Sequence, residues 1–417
     1  MRAGMVEPRM VSYRESERLY ERARRVIPGG VPGIRAPENF VPGAYPILLS
    51  GGRGGRVSDV DGNDFVDLLL GYGPVIVGHG EPDIDRAASD RAAAGFCLNL
   101  PEPLMVELAE ALTRRVPSAE QALFFKTGSG ATSAAVRIAR AHTGRTLMLR
   151  CGYHGWHDWC VEDDPGVPAR VPAEVVPFTY NRADQVEDLL RRHRGSVAGI
   201  IVTPIGHDFD RQIEVPAPGF LEALRALADE HQVVLIFDEV RSGFRVHAGG
   251  AQALYGVTPD LTALGKAMAN GYPLAALVGR RAVMESARRT FISSTYFSNG
   301  MEMAAALATL RMLEERDVAS TLARRGSDLA EGLAAIVDEF GLPVTLSPYP
   351  QMPFLHFDPD LGSDQARRRD AFYGRLARSG VFAHPRHHGF LCLRHDDEDL
   401  ARVLEAVRQA ARIARAA

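Results

Sequence analysis

Lysine is almost absent from this chain. Of its 417 residues 48 are basic, and only Lys126 and Lys266 among these are lysines. Any chemistry that needs a side-chain primary amine therefore has two candidate residues. Cysteine is also scarce, with four residues and no CxxC pair. This scarcity disfavours a disulfide framework and predicts a cytoplasmic protein with reduced thiols.

A charge excess and long apolar runs are missing as well. The formal net charge is −4, which offers no basic surface for nucleic acid or an anionic membrane. No stretch of about 18 uncharged apolar residues occurs, so we expect no membrane span. Residues 1–28 are rich in Arg and Glu and lack the apolar core of a signal peptide. The length and the 46% hydrophobic content suit a globular protein of two or three domains.

Two local elements are predicted near the N-terminus. Apolar spacing favours a helix over residues 12–26, ended by Pro28 and two glycines. A β-hairpin with its turn at Asp61-Gly62 follows. Its aspartates suggest a calcium loop, but the glycine falls too early and Leu70 stands where such a loop needs a glutamate. The hairpin is therefore the better interpretation.

From residue 103 onward, predicted helices alternate with short apolar strands. This alternation is typical of a mainly parallel α/β sheet. The last part of the chain has a different pattern and predicts a smaller α+β domain. The predicted strands are 122–125, 146–149, 199–202, 233–237 and 275–278, then 354–357 and 390–393; the predicted helices are 133–142, 185–192, 219–231, 301–316, 320–339 and one that begins at Asp397.

A strand-end carboxylate and an isolated lysine are the most informative residues chemically. The apolar run from Val233 to Phe237 ends in Asp238 and Glu239, at the edge where open α/β sheets place their sites. A buried acid there needs a cationic or donor partner. Lys266 stands among small residues, between glycines. In an apolar pocket its pKa would fall and its amine would become a nucleophile suited to an aldehyde. A surface lysine, the alternative, fits poorly with a chain that uses arginine elsewhere.

A small-residue turn, Thr127-Gly-Ser-Gly130, joins a predicted strand to a predicted helix. Free N–H groups at such a helix start bind phosphate, with the helix dipole behind them. Helix caps use the same residue types, so the turn alone does not specify a ligand. It is neither a P-loop nor a complete dinucleotide fingerprint.

Two clusters of histidine and cysteine could suggest a metal. Cys151, His154, His157 and Cys160 recur every third residue, but glycines inside the segment argue against the helix that would align them. The histidines of residues 384–388 are interpreted as part of a substrate rim or surface loop. We predict no metal site.

The phosphate turn, the aromatic loop Gly152-Tyr-His-Gly155, the strand-end acid Asp238 and the isolated Lys266 follow one another along the chain. Together they resemble the class III aminotransferases of PLP fold type I, in the branch of glutamate-1-semialdehyde aminomutases and β-amino-acid transaminases. The resemblance runs from about Ser16 to the C-terminus and implies pyridoxal 5'-phosphate (PLP) as the cofactor. It also implies an α/β large domain with a mainly parallel sheet and a smaller α+β C-terminal domain. We therefore predict three parts of the chain. An N-terminal segment, 1–60, packs on the small domain; a large domain, 61–310, binds PLP; and the small domain is 311–417.

The resemblance also implies roles for residues of this chain. Lys266 would form a Schiff base with the cofactor and shuttle protons, and Asp238 would pair with the pyridinium nitrogen. Thr295 would reach the phosphate of the neighbouring subunit's cofactor, which implies a homodimer. The other implied contacts are Gly128 and Ser129 at the phosphate, Tyr153 stacked on the ring and Val240 beneath it.

Three residues are candidates for binding the substrate. Arg35 and Arg386 match positions with which similar transaminases of β-amino acids bind carboxylates, and a guanidinium suits bidentate contact. Tyr72 is a candidate wall of the substrate site. The alternatives, surface arginines in an arginine-rich chain and a core tyrosine, stay open.

The resemblance favours transamination between an amino donor and a keto or aldehyde acceptor. Some positions depart from the family: Gly130 replaces an acid, Thr203 begins a stretch that is usually Glu-Pro-Val, and Ala267-Met-Ala-Asn270 replaces a glycine-rich run. These changes weaken an aminomutase assignment. The alternatives are an intramolecular glutamate-1-semialdehyde-type aminomutase, amination of a keto sugar or natural-product intermediate, and a non-catalytic PLP-fold binding protein. Proteins of the last kind tend to lose the lysine, which this chain keeps.

Overall fold

The computed structural model describes residues 11–162, 164–206 and 208–417, over which strands and helices alternate. The strands are β1 Leu49–Arg53, β2 Arg56–Asp59, β3 Asp64–Asp67, β4 Gln121–Phe125, β5 Leu147–Cys151, β6 Val175–Pro177, β7 Val197–Val202, β8 Val234–Asp238, β9 Leu261–Leu264, β10 Ala275–Gly279, β11 Thr345–Leu346, β12 Leu355–His356 and β13 Val381–Phe382. The α-helices are α1 Arg14–Ala23, α2 Pro82–Ala93, α3 Pro103–Thr113, α4 Gly128–Thr143, α5 Ala183–Arg192, α6 Phe220–His231, α7 Gly250–Tyr255, α8 Arg281–Met284, α9 Gly300–Glu315, α10 Val318–Phe340, α11 Ser363–Arg378 and α12 Asp397–Ala416. Short 3-10 helices are Gly33–Arg35, Pro37–Asn39, Asp158–Cys160, Pro172–Glu174, Lys266–Ala269, Glu285–Arg289 and Pro359–Leu361.

The central sheet has seven strands in the order β4-β10-β9-β8-β7-β5-β6. From β9 to β6 each neighbouring pair is parallel, whereas β10 runs antiparallel to both β9 and β4. The predicted mainly parallel α/β sheet is thereby confirmed.

Helices cover both faces of this sheet, as the side chains of β8 show. Val234 and Ile236 pack into a core with apolar residues of α4, while Leu235 and Phe237 enter a second core with α5 and α6. Alternate residues of a strand point to opposite faces, so β8 is buried on both sides. Asp238 ends the strand at the carboxyl edge of the sheet. No helix in the described ranges is long and apolar enough to cross a membrane.

A second sheet has four strands in the order β1-β2-β3-β13. It joins an early part of the chain to a late one. β2 and β3 form the hairpin predicted around Asp61-Gly62, with Val57 opposite Phe65. β13 then pairs with β3 in parallel, with Val381 opposite Val66. The early strands are therefore completed by a strand from the last part of the sequence.

Several predicted elements differ from the observed ones. The helix predicted over residues 12–26 is shorter, Arg14–Ala23. The strand predicted over residues 390–393 is wrong: Phe390 and Leu391 are buried, but they bond singly to Leu68 O and Gln351 O rather than to a strand ladder. The apolar run there reflects burial, not sheet pairing. Elements without a sequence prediction include β6, β9, α2 and α3.

Candidate active site

Lys266 follows β9 at the carboxyl edge of the central sheet. It begins a 3-10 helix with a φ of +43°, in the left-handed region. A non-glycine residue costs roughly 1–3 kcal/mol in such a conformation, and this strain concentrates at functional sites. Asn270 holds the segment in place, because its side chain accepts from Val77 N at 2.9 Å and donates to Gly78 O at 2.9 Å.

Asp238 is buried at the end of β8, one strand away from Lys266. Its Oδ1 accepts a hydrogen bond from Val240 N at 3.1 Å, and its Oδ2 lies 2.8 Å from Nδ1 of His154. The other ring nitrogen of His154 lies 3.1 Å from Cys151 O. The histidine is thus fixed at both nitrogens and fixes the direction of the carboxylate.

Glu239, the second strand-end acid, makes different contacts from those of Asp238. It is fully buried and turns away from Lys266 towards the start of α7. Its carboxylate accepts from the backbone and side-chain amides of Gln252, at 3.2 and 3.0 Å, and from Ala251 N. Glu239 therefore stabilises a helix start, which leaves Asp238 as the strand-end candidate for chemistry.

The predicted phosphate turn forms the N-terminus of α4. Thr127 caps the helix, with its hydroxyl accepting from Gly130 N at 3.1 Å. A Cβ atom on Gly128 would lie 2.8 Å from Cγ1 of Val240, and one on Gly155 would collide with the Ser129 hydroxyl. Glycine at these positions lets the turn approach both the strand-end loop and the loop after β5.

These elements enclose a cavity of about 290 Å³, which we call the Lys266 cavity. It brings together six residues that the sequence analysis assigned to the cofactor: Gly128, Ser129, Tyr153, Asp238, Val240 and Lys266. Further lining residues include Lys126, His154, Thr203 and Arg241.

Both lysines of the chain line this cavity, but their surroundings differ. Lys126 Nζ lies 3.1 Å from a carboxylate oxygen of Glu302. Lys266 has no ion pair within the described ranges. Burial, reinforced by the neighbouring Arg241 guanidinium, lowers the pKa of Lys266 to about 8. At such a pKa about a tenth of the amine is unprotonated at pH 7, far more than for an ordinary lysine, and a nucleophilic amine must be unprotonated.

Arg241 and His154 are site residues that sequence reasoning missed. Nη1 of Arg241 lies 2.9 Å from Nε2 of His388, and no ion pair of Arg241 occurs in the part of the chain that is described. Arg241 stands three residues after Asp238, and that proximity was a usable signal. His154 stood in a possible metal cluster and in the Gly152-Tyr-His-Gly155 motif of the family resemblance, without a role of its own.

The other predicted residues lie outside the lining of the Lys266 cavity. The Arg35 guanidinium sits 5.3 Å from the centre of the Tyr72 ring, and the Tyr72 hydroxyl donates to Ile34 O at 3.0 Å. Nε of Arg386 lies 3.8 Å from a carboxylate oxygen of Asp210. The substrate roles of these residues stay predictions.

Thr295, predicted to serve the neighbouring subunit, is exposed on the segment that precedes α9. Two apolar side chains of the same segment are exposed as well: Phe291 is 85% accessible and Tyr296 is 56% accessible. The role of Thr295 in a second subunit stays a prediction.

The side chains of the cysteine and histidine cluster at the end of β5 and after it do not converge on one point. They contact different partners. Nδ1 of His157 lies 2.6 Å from the Ser133 hydroxyl, and the Cys160 thiol donates to Gly155 O at 3.4 Å. Across the described residues, no group of three or more His, Cys, Asp or Glu side chains is arranged to hold a metal ion.

The family model for aminotransferase class-III matches residues 41–342. The chain belongs to this family. It is therefore a transaminase, and its cofactor is PLP. The predictions of family, fold and cofactor are confirmed.

The similar proteins include both an aminotransferase and an aminomutase. This class III aminotransferase is 46% identical to a 3-aminobutyryl-CoA aminotransferase of Cloacimonas acidaminovorans, over 94% of this chain and 95% of the relative. It is 35% identical to a glutamate-1-semialdehyde 2,1-aminomutase 2 of Brevibacillus brevis, over 95% and 98%. Among solved structures, the PLP internal aldimine form of the FumI protein of Sphingopyxis sp. MTA144 superposes with a TM-score of 0.91 at 34% identity, covering 95% of each chain.

The Lys266 cavity of this aminotransferase has the groups that PLP needs. A helix N-terminus suits a phosphate, a buried carboxylate suits a pyridinium nitrogen, and an amine of lowered pKa suits an aldehyde. Thr203 Oγ1 is buried in the cavity wall without a hydrogen-bond partner among the described residues. A polar atom in that state is available to a polar ligand.

Proposed function

We propose that this aminotransferase moves an amino group between an amino donor and carbon 3 of a 3-oxoacyl thioester. The support for the thioester is the 46% identity, over nearly all of both chains, with a 3-aminobutyryl-CoA aminotransferase. In the keto form of such a substrate, one carbon atom separates the ketone from the thioester carbonyl. The acyl chain carries no free carboxylate.

The observation that carries the catalytic part is the meeting of Lys266 and Asp238 in one cavity. PLP supplies an electron sink when it is bound. The amine of Lys266 would hold the cofactor covalently and, when released, move a proton at the reacting carbon of the substrate. Asp238, oriented by His154, would keep the ring nitrogen protonated. Gly128 and Ser129 would receive the phosphate at the start of α4.

The test is amination of acetoacetyl-CoA by the holoenzyme with a panel of amino donors. We expect 3-aminobutyryl-CoA by mass spectrometry, together with the keto product of one donor. We also expect a kcat/KM at least about tenfold above that for acetoacetate, equivalent to ~1.4 kcal/mol. Conversion of glutamate-1-semialdehyde without turnover of the thioester would reject the proposal.

We further infer that the working unit is a homodimer with shared sites. Thr295 lies on the segment before α9, beside the exposed Phe291 and Tyr296. Large exposed apolar side chains that lie together mark contact surfaces. A second copy that covers this segment would carry its Thr295 to the partner's phosphate.

Complementation between two inactive or impaired chains tests the sharing. Lys266→Ala chains are mixed with Thr295→Ala chains, and the heterodimer is assayed at limiting PLP. If Thr295 acts across the interface, one site regains both residues and activity exceeds that of either homodimer. If Thr295 serves its own subunit, neither site is complete. An unchanged activity, with heterodimer formation verified, would refute the sharing.

A further inference from the structure

A second cavity, of about 560 Å³, lies beside the N-terminal segment, and we call it the N-terminal cavity. It is larger than the Lys266 cavity and mostly apolar. Its walls come from the segment around residues 31–49, from the loop after β3 and from Phe382 of β13; they include Val31, Val41, Ile47 and Leu49. A cavity of this size and lining is typical of a site for an organic ligand.

One loop lines both cavities. Tyr72 faces the N-terminal cavity and Pro74 faces the Lys266 cavity. The loop is strained, because φ is positive at each residue from Leu70 to Gly73. Arg245 fixes it by donating to Gly73 O at 2.8 Å. The two cavities therefore lie on either side of this one loop.

Ring contacts connect the two cavities behind the loop. Arg241 of the Lys266 cavity contacts His388, whose ring stacks on His387 at 4.4 Å between centroids. His387 in turn packs edge-on against Tyr72 at 5.3 Å. Burial lowers the pKa of His387, so His387 adds no charge to this wall near neutral pH.

The polar groups of the N-terminal cavity suit a neutral ligand with amides. The hydroxyls of Tyr45 and Tyr72 donate to backbone carbonyls, at 2.6 and 3.0 Å, so towards a ligand they can only accept. Arg35 supplies N–H donors at the Tyr72 ring and has no ion pair in the described chain. Glu17 and Glu38 also line the cavity and would repel an anionic group inside it. An amide offers an N–H donor to the tyrosine hydroxyls and a carbonyl acceptor to Arg35.

We propose that the N-terminal cavity holds the pantetheine arm of the thioester substrate, with its amides between Arg35 and the tyrosine hydroxyls. This inference rests on the thioester specificity proposed above. The thioester carbonyl would lie near Tyr72 and the ketone near Lys266, with the nucleotide end outside the acidic lining. Arg35 thus contacts the arm of the substrate and not a carboxylate.

The test fills the cavity and leaves the cofactor site intact. Val31→Trp places a bulky ring in the wall, and Val26→Trp, at a site that is 81% exposed and outside the lining, is the matched control. Binding of free pantetheine to each holoenzyme is measured by calorimetry, and KM for acetoacetyl-CoA by steady-state kinetics. Leu49→Trp replaces Val31→Trp if the absorption of the bound cofactor shows that the latter has not folded.

We expect pantetheine to bind wild type and Val26→Trp alike and to bind Val31→Trp at least about tenfold more weakly, a loss of ~1.4 kcal/mol. KM for acetoacetyl-CoA should rise in parallel. Equal pantetheine binding by Val31→Trp and Val26→Trp would overturn the inference. The inference would also fail if the wild type turned over the thioester without binding pantetheine. Pantetheine binding without turnover of any thioester would reject the proposed function and leave the arm site supported.

Discussion

After reduction with borohydride, wild-type and Lys126→Ala proteins should carry PLP covalently, and Lys266→Ala should carry none. Both lysines line the same cavity, so proximity alone does not distinguish them. Burial lowers the pKa of Lys126 as well, but the Glu302 carboxylate, 3.1 Å away, opposes that shift, and a paired ammonium is a poor nucleophile. Burial and Arg241 lower the pKa of Lys266 to about 8, which frees its amine for the aldehyde.

The measurement is the mass of the peptides that contain each lysine, after reduction and digestion. Lys126→Ala is a demanding control, because it removes the other side-chain amine of the chain from the same cavity. Loss of amino transfer should accompany the loss of trapping in Lys266→Ala. Trapping that persists in Lys266→Ala and disappears in Lys126→Ala would show that the assignment is reversed.

Asp238→Asn should slow the half-reaction with an amino donor by ~10²-fold or more, a typical loss when one preorganised electrostatic partner is removed from a buried site. Asparagine keeps the size of the side chain and a hydrogen-bonding oxygen, but it removes the charge that, in the proposed role of Asp238, keeps the ring nitrogen protonated. Stopped-flow absorbance of the cofactor in a single turnover measures the effect directly.

Glu239→Gln is the matched control, since Glu239 is the adjacent acid and serves the start of α7. This change should lower the unfolding temperature, because an amide group would face amide donors in a buried site. The half-reaction of the loaded protein should stay near that of wild type. Similar rates in Asp238→Asn and wild type would remove Asp238 from the catalytic scheme.

The sequence predicted the parts of the site that depend on local pattern. Strand-end and turn motifs placed Asp238 and Gly128 near one another because parallel strands end at a common edge, and the resemblance to class III aminotransferases assigned Lys266 to the same cofactor. It could not predict contacts between distant segments, such as His154 with Asp238 or Arg241 with His388. These depend on how loops of different strands fold over the edge, which no periodicity encodes.

The same limit applies to the fold. Long amphipathic helices and the longer buried strands were recognisable from apolar spacing, and α9, α10 and α12 lie where they were expected. β6 and β9, of three and four residues, are too short for a clear period. Residues 390–393 have the composition of a strand because they are packed on all sides, and burial alone does not distinguish an extended loop from a sheet.

The pairing of β3 with β13 has a consequence for the order in which the molecule assembles. Contacts between distant parts of a chain form slowly, because the long intervening segment must first be brought together. The Tyr45 hydroxyl and Ala383 O, 2.6 Å apart, are separated by 338 positions. During synthesis, β1, β2 and β3 leave the ribosome long before β13 exists. The central sheet can therefore form the Lys266 cavity early, while the N-terminal cavity, which needs Phe382, is completed only after β13 has been synthesised.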